Sequence, residues 1–324
     1  AIDEFSKDRP APLGWRFGFG NIMLIVAGFA CIGLALLFET LKYVSMMKEL
    51  GQKVSFKIAF ETAALGKYYD SITPSGAGGQ PFQIYHLHKN GYSTGASAAM
   101  PLAAFMFMQL AFVLLAIIMF IFGGSTIDSV AYRITAYIGA ACYAIVPGFI
   151  ILFSISDKLV KRIVSFIMRI GGRLHIIRNA EERTRSVMDS LEEYHEGLKM
   201  IARSKKLIVK LAILSLLYQI AISSIPFFVL HAYRGTGNYF ELLAMTVYIY
   251  CAITIIPTPG NSGAAEGSFY IIFSRLDYGG IFWGMLIWRF ICYYSFIIIG
   301  ILIYGFNGIR NRRKLKKEPE NANI

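Results

Sequence analysis

Apolar positions in this chain fall in long runs. The first reaches from Phe17 to Phe38, and others follow at Ala96 to Gly124, Arg133 to Ile155, Leu207 to Leu230 and Ile281 to Phe306. Each has the roughly 20 residues a helix needs to cross a hydrocarbon core. None shows the weak alternation over about ten residues of a barrel strand. Two further regions are apolar but interrupted. Residues 54–96 hold "IAFETAALGKYYD", too short to span, and then "DSITPSGAGGQPFQIYHL". Residues 239–276 hold "YFELLAMTVYIYCAITII", then "PTPGNSGAAEGSFY" and "IIFSRLDYGG". The pattern predicts an all-α polytopic membrane protein, with about six full spans and two re-entrant or broken-helix hairpins.

A different rhythm occupies residues 157–206. Leu159, Ile163, Phe166 and Ile170, then Val187, Leu191, Tyr194, Leu198 and Ile201, recur at helical spacing, which predicts amphipathic helices. From Asp157 to Lys210 there are thirteen Lys/Arg against seven Asp/Glu, so this linker is expected in the cytoplasm. It divides an N-terminal membrane half, 1–156, from a C-terminal half, 207–306. The tail 307–324 is basic and polar and is expected to be disordered and cytoplasmic. "ETLKYVSMMKELGQKVSFK", after the first run, reads as a short cytoplasmic connection. The first run is too long for a signal-peptide core and is expected to be retained.

Composition sharpens the class. The chain is 56% hydrophobic with a formal charge of +12. The basic runs abut apolar spans, so positive-inside topology explains the charge and nucleic acid is not the expected partner. The four cysteines lie singly in apolar runs and the five histidines are scattered, so no metal or other cofactor is expected. There is no GxxxxGK[ST] loop for direct use of a nucleoside triphosphate.

The two interruptions resemble each other. "TPSGAGGQPF" and "TPGNSGAAEGSF" each carry Thr-Pro, a Gly/Ser-rich turn and then a polar side chain, Gln80 or Glu266. Lys53, Lys57 and Lys89 flank the first, whereas Arg234 and "RLDYGG" flank the second on the opposite side by span count. The expectation is two inverted-topology halves with one hairpin entering from each face, as in transporters with broken helices. Non-helical backbone at membrane depth must be buried in protein or line a cavity. Charges in such surroundings default to a functional reading. The candidate substrate-binding residues are Thr73, Pro74, Gly78, Gly79, Gln80, Pro81, Gln83 and Tyr85 on the first hairpin. Thr258, Pro259, Gly260, Gly263 and Glu266 on the second, with Arg289 in the last span, complete them. Glu61, Lys67 and Asp70 form a possible additional polar pathway, while Tyr293 and Tyr294 read as packing or interfacial aromatics.

"TPSGAGGQPFQIYHLHKNGYS", "IIPTPGNSGAAEGSFY" and "WRFICYYSFIIIGIL", in this order, resemble the lysylphosphatidylglycerol synthase transmembrane family of flippase-like proteins. The resemblance implies a translocase that moves a polar-headed lipid between leaflets of the cell membrane, not an enzyme. With eighteen residues after the last span, a stand-alone member without the synthase domain is expected. A separate lipid-modifying synthase and a second copy of the chain are then conceivable partners. Gln80 stands where aminoacyl-lipid flippases of the family carry glutamate, which points toward a phospholipid or glycolipid. Two other readings stay open at this stage. One is a membrane-bound polyprenyl-phosphate glycosyltransferase, although 157–206 carries no Asp-x-Asp. The other is a carrier for a small water-soluble solute.

Overall fold

The computed structural model describes residues 18–74, 76, 78–155, 196–233, 235–254, 256–276 and 280–317. Ten α-helices account for nearly all of them: α1 Phe19–Glu49, α2 Phe56–Ile72, α3 Gly79–Lys89, α4 Thr94–Phe122, α5 Val130–Ile155, α6 Lys205–Ala232, α7 Tyr239–Ile253, α8 Ala264–Phe273, α9 Ile281–Arg289 and α10 Ser295–Lys317. A π-helical turn, Phe290–Tyr294, joins α9 to α10. Among the described residues four stretches are long and apolar enough to cross a membrane: α1, α4, α6 and Ile281–Asn307. No strand occurs among the described residues; the extended backbone includes one isolated bridge, between Pro74 and Pro259.

Local chemistry sets the helix ends. Ser55, Ser93 and Ser204 accept from the N–H groups of Ile58, Ala96 and Leu207, and Asn238 accepts from Glu241, each satisfying a donor of the first turn. α1 ends where Gly51 takes positive φ and Gln52 N–H bonds back to Met47 O at 2.9 Å. α2 stops before Pro74, which disfavours helical backbone in the residue preceding it.

The main buried cluster packs Trp288, Phe269, Phe273, Tyr248, Ile225 and Phe112 together, and a second gathers Tyr43, Met46, Met47, Leu87, Met100 and Leu211. The outside is apolar as well. Leu34, Leu114, Ile117, Ile213, Ile298 and Leu302 are exposed, as expected where lipid replaces water. α1 and α6 run antiparallel along their length. Asn21 at the start of α1 donates to Ala232 O at the end of α6 at 2.6 Å, Gly28 lies against Val229, and Lys42 stands 5.9 Å from the ring centre of Tyr218.

Two expectations change. Residues 39–49 continue α1 instead of forming a connection, with Glu39, Thr40, Lys42, Tyr43 and Met46 buried. The reason is local neutralisation: Lys42 Nζ lies 2.8 Å from Glu39 Oε2 one turn away and donates to Ala104 O at 3.3 Å. The last helix likewise continues through Lys317, so 307–317 is helical. Most of the linker at 157–206 lies outside the described residues; 196–203 is helical, as its periodicity predicts.

Candidate functional site

Each interruption folds as a helix–turn–helix, α2–α3 and α7–α8, and the two turns touch. Pro74 and Pro259 form an isolated antiparallel bridge that joins the tips of the two hairpins. In the first tip Thr73 Oγ1 donates to Tyr69 O at 2.7 Å and accepts from Gly78 N–H at 2.9 Å. Asp70 Oδ1 accepts from Gly79 N–H at 3.0 Å, which fastens the end of α2 to the start of α3. A Cβ on Gly79 would collide with that carboxylate and with Gly66 O, so only glycine fits this crossing.

The second tip is organised by an arginine from the last span. Arg289 Nε donates to Glu266 Oε1 at 2.5 Å, and Nη2 donates to Gly260 O at 2.7 Å and to Ser262 Oγ at 3.0 Å. Glu266 Oε2 accepts from Gly263 N–H at 2.6 Å, so both carboxylate oxygens are engaged. The guanidinium stacks over Tyr293, 4.5 Å from the ring centre. Gly260 has φ of 57°, and a Cβ there would strike the Tyr293 ring. The π-helical turn begins directly after Arg289 and contains Cys292 and Tyr293. Such turns often accompany functional sites, because the extra residue re-aims side chains.

Between the tips lies a cavity of about 280 Å³. Lys67, Asp70 and Ser71 line it from α2, Gly260, Asn261 and Ala265 from the second hairpin, and Trp288, Arg289 and Tyr293 from the last span. Tyr143, Tyr218 and Tyr250 complete an aromatic and hydroxylic wall. The cavity is shared by both halves of the chain, concave, and carries a few convergent charges, the usual form of a small-ligand site.

The structure therefore brings together Lys67, Asp70, Gly260 and Arg289 on the cavity, with Pro74, Pro259, Thr73 and Glu266 in the framework behind them. Thr258 Oγ1 donates to Ser262 O at 3.1 Å, inside the second turn. Gln80 and Pro81 lie in the first turn of α3 and do not line this cavity. Gln83 is buried against Gly66 and donates to Thr62 O at 3.2 Å, holding α3 on α2. Glu61 and Tyr85 stand on a second cavity of about 620 Å³ between the first hairpin and α10, with Lys57, His86 and Tyr304. There Glu61 lies 3.5 Å from both Lys57 Nζ and His86 Nε2. Glu61 is thus separate from Lys67 and Asp70. No group of three or more His, Cys, Asp or Glu able to hold a metal occurs among the described residues.

Sequence reasoning missed Glu39, Lys42 and Tyr218. Lys42 and Lys67 both lie over the Tyr218 ring, at 5.9 and 5.2 Å from its centre. A signal for the first pair was present: no glycine or proline interrupts residues 39–50, so the apolar helix had no cause to stop. Tyr218 carries no sequence mark of its own.

A protein-family model described as the lysylphosphatidylglycerol synthase TM region matches residues 16–300. The chain is 26% identical over 299 residues to a UPF0104 membrane protein of Archaeoglobus fulgidus, covering 90% of this chain and 88% of that one. It is 24% identical over 264 residues to a UPF0104 membrane protein of Methanothermobacter thermautotrophicus, covering 80% and 75%. The match over nearly all the described helices, both interrupted hairpins included, means that this chain belongs to the lysylphosphatidylglycerol synthase transmembrane-region family.

Proposed function

We propose that this protein is a lipid flippase, or a facilitator of flipping, that moves a polar-headed phospholipid or glycolipid between leaflets. The observation that carries the reading is the meeting of the two hairpin tips, at Pro74 and Pro259, beside a charged cavity lined from both halves. Because α1 and α6 are antiparallel, the hairpins that follow them start from opposite ends of that pair. This supports an inverted-topology repeat, in which rocking of one half against the other exposes a central site to each leaflet in turn. The headgroup occupies the cavity and meets Arg289, Lys67 and the tyrosine hydroxyls, while the acyl chains remain in lipid. The protein moves its substrate without altering it. The basic linker and C-terminal end face the cytoplasm of a cell membrane.

The test is reconstitution of the full chain into vesicles containing a nitrobenzoxadiazole-labelled phosphatidylglycerol or a labelled glycolipid, followed by dithionite quenching of the outer leaflet. Flipping faster than in protein-free vesicles is expected, and Glu266→Gln, which weakens the hold on Arg289 by about 1 kcal/mol, should slow it about fivefold. Quenching kinetics identical to protein-free vesicles for both lipids would refute the reading.

A further inference from the structure

Four charges lie inside the helical assembly in one connected arrangement. Glu39 and Lys42 are sealed between α1, α4 and α6, with side chains 5% and 0% exposed. Lys67 and Asp70 stand on the cavity wall, 15% and 23% exposed, with Lys67 Nζ 3.7 Å from Asp70 Oδ2. Two lysines and two carboxylates leave the group neutral, which is how charges are tolerated at this depth. Any change of one charge there leaves a bare charge in a poorly solvated place unless another arrives with it.

The three carboxylates near the cavity differ in how firmly they are held. Glu266 has one oxygen on Arg289 and the other on Gly263 N–H. Glu39 is paired at 2.8 Å and does not line the cavity. Asp70 is held more loosely, by one backbone N–H at 3.0 Å and an ammonium at 3.7 Å, and it lines the cavity. The groups around it are Lys67 on its own helix, Tyr218 from α6, Tyr143 from α5 and Tyr250 from α7, with Glu39 of α1 acting on it from behind the cavity wall, where Lys42 pairs it. The last span adds Arg289, Cys292 and Tyr293.

We propose that Asp70 and Lys67 take up a proton and a phosphate group together. The proton binds an Asp70 carboxylate oxygen and makes it a neutral acid, which still accepts from Gly79 N–H. The Lys67 ammonium keeps its own proton and loses its counter-ion. The phosphate of the incoming headgroup becomes the new counter-ion, so the site stays balanced. Proton and phosphate each favour the binding of the other, and by reciprocity the coupling is the same in both directions. The inference rests on the lipid-translocation reading and adds to it a phosphate-bearing substrate and a proton as energy source.

Isothermal titration calorimetry on the purified full chain tests this, with short-chain phosphatidylglycerol and inorganic phosphate as separate probes, in buffers of different ionisation enthalpy. Uptake of about one proton per bound phosphatidylglycerol is expected, with affinity rising about tenfold per unit fall in pH across about pH 5 to 8. Asp70→Asn should bind without proton uptake and without pH dependence, and Asp70→Glu should restore both. Wild-type binding with no proton uptake, or uptake unchanged in Asp70→Asn, overturns the proposal and leaves the flippase reading standing. Inorganic phosphate binding with proton uptake while phosphatidylglycerol does not bind supports the proton–phosphate pair and overturns the lipid as its ligand. Failure of both probes to bind overturns the proton–phosphate proposal, and the flipping assay with the labelled glycolipid then decides the flippase reading separately. If Asp70→Asn does not fold, the buffer comparison on the wild type alone decides.

Discussion

Replacing Arg289 by alanine removes the tie between the last span and the second hairpin tip. The guanidinium donates to Glu266 Oε1, Gly260 O and Ser262 Oγ, and its side chain is 10% exposed. Interhelical polar contacts in membrane proteins contribute about 0.6 kcal/mol on average and up to about 1.7. Three of them, all from the charged guanidinium and one to a carboxylate, put the loss at about 3 kcal/mol. Glu266 is 28% exposed, so solvent takes over part of its share. Glu266→Gln keeps an acceptor near Arg289 and should cost about 1 kcal/mol. The assay is unfolding in mixed micelles of increasing sodium dodecyl sulfate, on both single variants and the double variant. Because both residues serve one contact, the double variant should be less destabilised than the sum of the singles, by about 1 kcal/mol. Additive losses, or Arg289→Ala within about 0.5 kcal/mol of wild type, would refute the argument that this pair organises the tip.

Glu39→Gln or Lys42→Met alone should destabilise by about 3–5 kcal/mol by leaving one buried charge unpaired, and the double variant should regain most of that in the same unfolding assay. Gly260→Ala forces a side chain into positive φ and against Tyr293, and should cost about 1–3 kcal/mol, with a matching fall in flipping. Cysteines at Pro74 and Pro259 should cross-link readily, since residues facing each other across an antiparallel bridge have Cα atoms about 4.5–5.5 Å apart. Absence of the cross-link under oxidising conditions, with both single variants folded, would show that the tips do not meet in the membrane. If transport requires the tips to part, the cross-linked protein should be inactive and recover on reduction.

How much of this was legible beforehand depends on how local the cause is. The turns at Thr73 to Gly79 and Thr258 to Gly263 are written in Thr-Pro, glycine and asparagine, whose backbone preferences act within a few residues. Arg289 and Glu266 stand out because a charge in an apolar run is costly wherever the run is buried. Pairing with each other is the natural way to lower that cost, and the structure shows the pair, although 23 positions separate them and no helical spacing relates them. Glu39 and Lys42 read as the end of a span because charges usually mark one. Their burial depends on Tyr218 and Ala104, contributed by helices far along the chain. Gln80 and Gln83 invite a site reading by type alone, yet Gln83 braces Thr62 O and Gln80 lies off the central cavity.

The residue pattern suffices for the all-α membrane class, for four of the long apolar helices, for the position and kind of both interruptions, and for which charges stand in apolar surroundings. Each follows from side-chain transfer energies and local backbone limits, which need no knowledge of neighbours. The tertiary structure alone decided that the two tips meet at Pro74 and Pro259, that Arg289 locks one of them, and that Lys67 and Asp70 share the cavity while Glu61 faces another. Those facts come from how antiparallel helices register against one another. Register is set by the packing of whole faces, and no short stretch of chain encodes it.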